Sequence, residues 1–181
     1  TSTTLKSVMK DIDKTNEVWF EANIFWDIKE VNFINNSSKK IPNIIKKIQN
    51  ECFKYNTCVG DNASQAKSKK LQKFYNEIIK YSETNKKNGF NIYYLPSTLI
   101  ETCGIAYVKE GYTVISQKKN PAPGMRCNPP YILAHELGHL LSLKHTHDKS
   151  NIMAIGIMPG IKLNKTQINK ALKYYKTEIN F

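Results

Sequence analysis

Residues 135–145 read HELGHLLSLKH and hold three of the chain's four histidines, with His147 two residues further on. His135 and His139 stand four apart, so on a helix they share one face about one turn from each other. Two imidazoles at that spacing can reach a single metal ion. Glu136 points about 100° round the helix from His135. There it is near such a metal without ligating it, where a carboxylate can hold a water and take its proton. A catalytic zinc site takes three protein ligands and leaves one position open. His145, six residues past His139, is the candidate third ligand. A straight helix would carry it roughly 9 Å along the axis, so the chain has to leave the helix and turn back. A residue of positive φ is the natural device and glycine the usual one, yet Ser142 occupies the middle of the stretch. The chemistry of such a set is metal-assisted hydrolysis.

The elements that must position these groups are readable from apolar spacing. The histidine helix has a clear start: Asn128 is a good N-cap, and Pro129 suits the first helical position. Tyr131, Ile132, Leu133, Leu137, Leu140 and Leu141 give that helix its apolar surface. Residues 5–22 place Leu5, Val8, Met9, Ile12, Val18, Trp19 and Ala22 close to helical spacing. Residues 24–34 alternate as a strand, with Ile24, Trp26, Ile28 and Phe33 among polar neighbours. Pro42 opens a short helix carrying Ile41, Ile44, Ile45, Ile48 and Cys52, and a second long helix spans 64–83 with Leu71, Phe74, Tyr75, Ile78 and Ile79 inward. Strand-like runs follow at 90–95, 103–108 and 112–116, then a proline-rich loop over 120–130. The chain closes with a helix over 164–175, capped by Asn164 or Thr166 and facing in through Ile168, Ala171, Leu172 and Tyr175. The fold class expected is mixed, α+β or α/β, and 181 residues suffice for one domain with a real core.

Composition narrows the partners. Lysine and arginine number 27 against 15 acidic residues, a net charge of +12. Nearly all are lysines spread through the chain, without an arginine cluster or base-stacking aromatic motif, so a solvated lysine surface is expected and no nucleic acid partner. No apolar run approaches the roughly 18 residues of a membrane span, and no transmembrane segment is expected. The chain opens at Thr1 with no signal-peptide pattern, which reads as the start of a processed form or of an excised piece of a longer chain. Cys52, Cys58, Cys103 and Cys127 show no C-x-x-C spacing. An even count fits two disulfides and an oxidising compartment; of the three pairings, Cys52–Cys58 with Cys103–Cys127 is favoured, and free buried thiols are the alternative.

HELGHLLSLKH resembles the metzincin signature H-E-x-x-H-x-x-G-x-x-H, which a methionine turn follows. It matches at every ligand position and at the glutamate. SNIM places Met153 eight residues after His145, similar to the matrixin spacing, and HTHDKSNIM resembles the matrixin stretch after the third histidine, with Asp148 as its acidic residue. CGIAYV and TVIS are similar to the edge strand and its neighbour in reprolysin-like metzincins. KTNEVWFEANIFWDI is similar to the first helix and following strand of many bacterial members. The resemblance implies a mixed twisted sheet, two long helices, an active-site helix, a Met-turn and a C-terminal helix. It implies one catalytic domain over 1–181, with an upper part at 1–141 and a lower part at 142–181.

It also implies one catalytic Zn2+ held by His135, His139 and His145, Glu136 as general base, and Met153 as a hydrophobic floor under the metal. Gly104, Ile105, Ala106 and Tyr107 would receive an extended substrate, and residues 154–161 would form an apolar wall after the scissile bond. Protein or peptide substrates follow, with a propeptide or protein inhibitor as further partners, and a secreted or otherwise extracytoplasmic monomer is expected. The sequence departs from the family in two places. Ser142 replaces the turn glycine: either the turn stays in the allowed region with a slightly different exit, or Ser142 takes left-handed angles at about 1 kcal/mol or more, offset by metal binding. The usual strand before the first helix is not found. The other reading is a catalytically inactive, zinc-stabilised domain that binds protein or glycan; Glu136 argues against it, since ligands alone would suffice for structure.

Overall fold

The computed structural model describes residues 4–31, 89–95, 102–116, 127, 129–155 and 160–179. The expected helices after Pro42 and over 64–83, the Cys52–Cys58 pair, the Asn128 cap and half of the expected wall, 156–159, lie outside the described residues.

Helix α1 (Leu5–Trp19) opens with a reciprocal cap. The Ser7 amide donates to Thr4 Oγ1 at 3.2 Å, and the Thr4 amide donates to Ser7 Oγ at 3.0 Å. The Thr4 amide is thereby satisfied, and the Ser7 amide gains a second acceptor beside the Thr4 carbonyl. The helix ends through a single 3-10 turn, Phe20–Ala22, closed by Asn23 in the left-handed region at φ 53°. Asn tolerates that conformation better than most side chains. The buried stripe is Asp11, Ile12, Thr15, Val18 and Trp19, continued by Ala22. Its period is the one expected, but two polar residues belong to it, while Leu5 and Met9 are exposed. Asp11 is satisfied at its side chain by the Tyr94 hydroxyl, 2.9 Å away.

Residues 24–31 contain no strand, which corrects the expectation for 24–34 over its described part; 32–34 lie outside the described residues. Alternation is real there, with Ile24 buried and Phe25 exposed. The backbone partner is a side chain instead of a neighbouring strand. Asn16 accepts from the Trp26 amide at 2.7 Å and donates to its carbonyl at 3.0 Å, holding the segment against α1.

Three strands, β1 (Asn91–Leu95), β2 (Gly104–Tyr107) and β3 (Tyr112–Ser116), form a sheet in the order β1-β3-β2. β1 runs parallel to β3, with Asn91 opposite Tyr112; β2 runs antiparallel to it, with Gly104 opposite Ile115 and Tyr107 opposite Tyr112. Every residue of β3 is buried, so both faces of the middle strand are covered.

Helix α2 (Pro129–Leu140) lies between α1 and the sheet. Towards α1, the buried Trp19 indole donates to the Ala134 carbonyl at 3.2 Å. Towards the sheet, Ile132, Leu133, Leu137 and Leu140 share a core with Ile115, Cys103 and Cys127. A Cys103–Cys127 disulfide, Cα atoms 5.4 Å apart, joins the residue before β2 to the segment leading into α2. Helix α3 (Lys165–Tyr174) packs Ala171 against a second cluster containing Trp19, Leu143, Ile152 and Met153. The result is a mixed α/β fold with the histidine helix at its centre.

Candidate active site

Helix α2 stops where the ligand spacing requires. Ser142 takes φ 64°. Its amide donates to the His139 carbonyl at 2.8 Å, and the Leu143 amide donates to the Gly138 carbonyl at 2.9 Å. These two bonds make a Schellman ending, with serine where glycine is usual. The chain thus leaves the axis after Leu141, and His145 comes back beside the helix.

The three imidazoles converge. His135 Nε2 lies 3.1 Å from His139 Nε2 and 3.2 Å from His145 Nε2, and the last two are 3.1 Å apart. Hydrogen bonding cannot account for the His135–His139 edge of this triangle. His135 Nδ1 lies 2.6 Å from the Ile152 carbonyl oxygen, and His139 Nδ1 lies 2.9 Å from that of Leu143. A carbonyl only accepts, so both Nδ1 atoms carry the proton and both Nε2 atoms present lone pairs to the centre. Lone pairs facing each other repel unless a cation sits among them. Tetrahedral zinc at about 2.0–2.1 Å from each nitrogen needs nitrogens roughly 3.3 Å apart, close to what is found. His135, His139 and His145 could therefore hold a metal ion.

The electrostatics agree with a set of neutral ligands. Burial foremost pushes His135 down to about 4, against the Ile152 carbonyl, which favours its charged form. Burial likewise lowers His139, opposed by the Leu143 carbonyl. Glu136 is buried, and that burial pushes its carboxyl up to about 8. A divalent cation beside it would draw the proton off again.

Met153 is fully buried against α2. A side chain on Gly138 would overlap the Met153 sulfur and come within 3.5 Å of the Trp19 ring. Only a residue without Cβ lets Met153 lie flat on the helix one residue before His139. The segment from Thr146 to Ile155 is pinned on both sides: Thr146 bridges Ala154 and Asn151 bridges Lys162. Buried Asn151 accepts from the Met153 amide at 2.9 Å and exchanges two amide bonds with Gln167, at 2.7 and 3.1 Å. Gln167 is also the reciprocal capping residue of α3, paired with Asn164. One glutamine thus ties the start of α3 to the turn around Met153. Asp148 braces the same loop by accepting from the Ser150 hydroxyl and amide, which holds its carboxyl below the usual range.

A family model described as metallo-peptidase family M12B, reprolysin-like, matches residues 25–146, about two thirds of the chain. The chain belongs to that family. No curated protein and no solved structure matches this reprolysin-like chain. The matched span takes in the sheet, Glu136 and all three ligating candidates, and stops before Met153.

Most sequence-derived candidates of this reprolysin-like metallopeptidase gather at one place. His135, His139 and His145 come together, Gly104 lies against Glu136, and Cys103 is bonded to Cys127. Ala106 packs with the α2 side of the sheet, whereas Tyr107 stacks on Tyr112 with ring centres 4.7 Å apart. His147 is exposed. Sequence reasoning missed Asn151, Gln167 and the carbonyls of Ile152 and Leu143. The N-x-x-Q spacing of Asn164 and Gln167 was a visible capping signal; backbone carbonyls leave none.

Proposed function

We propose that this chain is a zinc endopeptidase of the metzincin kind, cleaving protein or peptide substrates. The observation that carries the reading is the triangle of Nε2 atoms, with two imidazoles fixed as acceptors by carbonyls at Nδ1. His135, His139 and His145 would hold the ion, which when bound supplies Lewis-acid polarisation and acidifies water. Glu136 takes the proton from the attacking water at its carboxylate and delivers it to the leaving amine. Its dry setting strengthens that exchange, and the fixed tautomers of His135 and His139 keep the ligands neutral and aimed. Met153 supports the ligands from below as a Met-turn.

The strand Gly104–Tyr107 ends the β1-β3-β2 order, a suitable place for an extended peptide to add as a further strand. Exposed Ile155 and Ile161, beside buried Ala154, favour an apolar residue after the scissile bond. The whole chain reads as one catalytic domain, with 142–181 as its lower part. The disulfide favours an extracytoplasmic setting; no helix among the described residues is long and apolar enough to cross a membrane.

The test is zinc analysis of purified protein followed by incubation with unstructured proteins, reading new amino-termini by mass spectrometry. Bound zinc with chelator-sensitive new termini supports the reading. Full zinc with no cleavage across diverse substrates overturns it and leaves the zinc-stabilised binding domain.

A further inference from the structure

We infer that Gly104 is the positioning residue that seats Glu136, an inference that rests on the reading of Glu136 as the proton-transferring group. A Cβ at Gly104 would stand 2.7 Å from Glu136 Cγ, 2.8 Å from its Oε1 and 2.9 Å from Ile132 Cγ2. Real Cβ atoms do not approach other atoms that closely, so any larger residue moves the glutamate or parts β2 from α2. The φ of Gly104 is not in the left-handed region. Glycine is there for space and not for backbone freedom.

Two further features make this a seat. The residue before Gly104 is Cys103, whose disulfide to Cys127 ties β2 to the segment entering α2. Gly104 also pairs with Ile115, which is fully buried under α2 beside Ile132 and Leu133. The start of the strand is thus held both covalently and by pairing to a buried neighbour, which resists the shift that a methyl group would require. Glu136 lies along the bare backbone of the strand, where packing helps to fix its carboxylate. Gly104 acts on the reaction through Glu136, whatever contact it also makes with substrate.

The experiment is a cycle of Gly104→Ala and Glu136→Ala, each variant assayed for zinc content and thermal midpoint, with steady-state kinetics on wild type and Gly104→Ala. Seating predicts that Gly104→Ala keeps its zinc and loses about 100-fold in kcat with little change in KM, the scale expected for a misplaced catalytic group. It also predicts that at least half of the fall in midpoint caused by Gly104→Ala disappears in the Glu136→Ala background, where the two closest clashing atoms are gone and only Ile132 Cγ2 remains. A rise in KM with unchanged kcat makes Gly104 a substrate contact only and overturns the inference. Equal falls in midpoint in both backgrounds overturn it too. Should Gly104→Ala fail to fold, a folded double variant supports seating and an unfolded one contradicts it. Wild type that binds zinc without cleaving sinks the peptidase reading, while the melting cycle still decides whether Gly104 seats Glu136.

Discussion

His135 Nδ1 donates to the carbonyl oxygen of Ile152 at 2.6 Å, across a separation of 17 residues. Ile152 directly precedes Met153, and its amide in turn donates to the Lys162 carbonyl at 2.8 Å. A ligand on the central helix is therefore oriented by the turn that carries the buried methionine. Orientation of the first histidine is a property of the tertiary fold, and loosening the turn should loosen the metal.

Asn151→Ala tests that link. The substitution leaves the buried Met153 amide without its acceptor and takes two bonds from the half-buried Gln167 side chain, which keeps Asn164, at a cost of about 1–3 kcal/mol. Zinc affinity is expected to fall about 10- to 100-fold, as for other groups that orient ligands. Competition with a chelating dye measures it; unchanged affinity in a destabilised variant would uncouple the turn from the ligand.

Ser142 sits at φ 64° with a side chain. Ser142→Gly removes about 1 kcal/mol of left-handed strain and gives back about 0.4–1 kcal/mol through a freer unfolded chain. A net change under about 1 kcal/mol is expected from urea unfolding midpoints. Ser142→Val should lose about 2 kcal/mol or more, since a β-branched residue is a true outlier there. Valine tolerated as well as glycine would mean that the turn is not held in the left-handed region.

The site was far more legible in the sequence than the frame around it. Ligands four apart on a helix, and a third that must turn back, follow from helix geometry; that geometry demands a sharp turn near Ser142 but does not by itself decide that Ser142 takes the positive φ found. What spacing could not give was the backbone side of the site, because the carbonyls of Ile152 and Leu143 are the same atoms in any residue. Burial of Asp11 and Thr15 was hidden because polarity was read as exposure; Asp11 has the Tyr94 hydroxyl, and Thr15 donates to the Asp11 carbonyl at 2.7 Å. The alternation over residues 24–31 reported the alternating burial correctly. It carried no information on whether the partner would be a strand or, as found, the side chain of Asn16.

Asp11 gives a pH prediction. Burial raises its carboxyl above the ordinary value of 3.8, more than the Tyr94 hydrogen bond and the Lys10 charge lower it. The folded chain then keeps this proton to higher pH than the unfolded chain does. Its contribution is fully present below about pH 3.8 and is lost as pH rises through the folded value. Asp11→Asn keeps an acceptor for Tyr94 and removes the titration. Its stability relative to wild type should grow between pH 3 and pH 6, measured by thermal midpoints. A constant difference across that range would contradict the buried carboxyl.

Chelation should destabilise as well as silence the protein. A ligand at 100 times its dissociation constant stabilises by about 2.7 kcal/mol. For a chain of this size that is a fall of roughly 5–10 °C in midpoint on zinc removal. A midpoint indifferent to chelator would mean that no ion links α2 to the segment bearing His145.

The most direct measurement compares wild type with Glu136→Gln at equal, verified zinc content, on one cleaved peptide. The variant keeps the three imidazoles and the shape of residue 136 but cannot move the proton. The account predicts full zinc in both proteins and a loss of about 100-fold or more in kcat for the variant. Equal turnover by the two at equal zinc would contradict it.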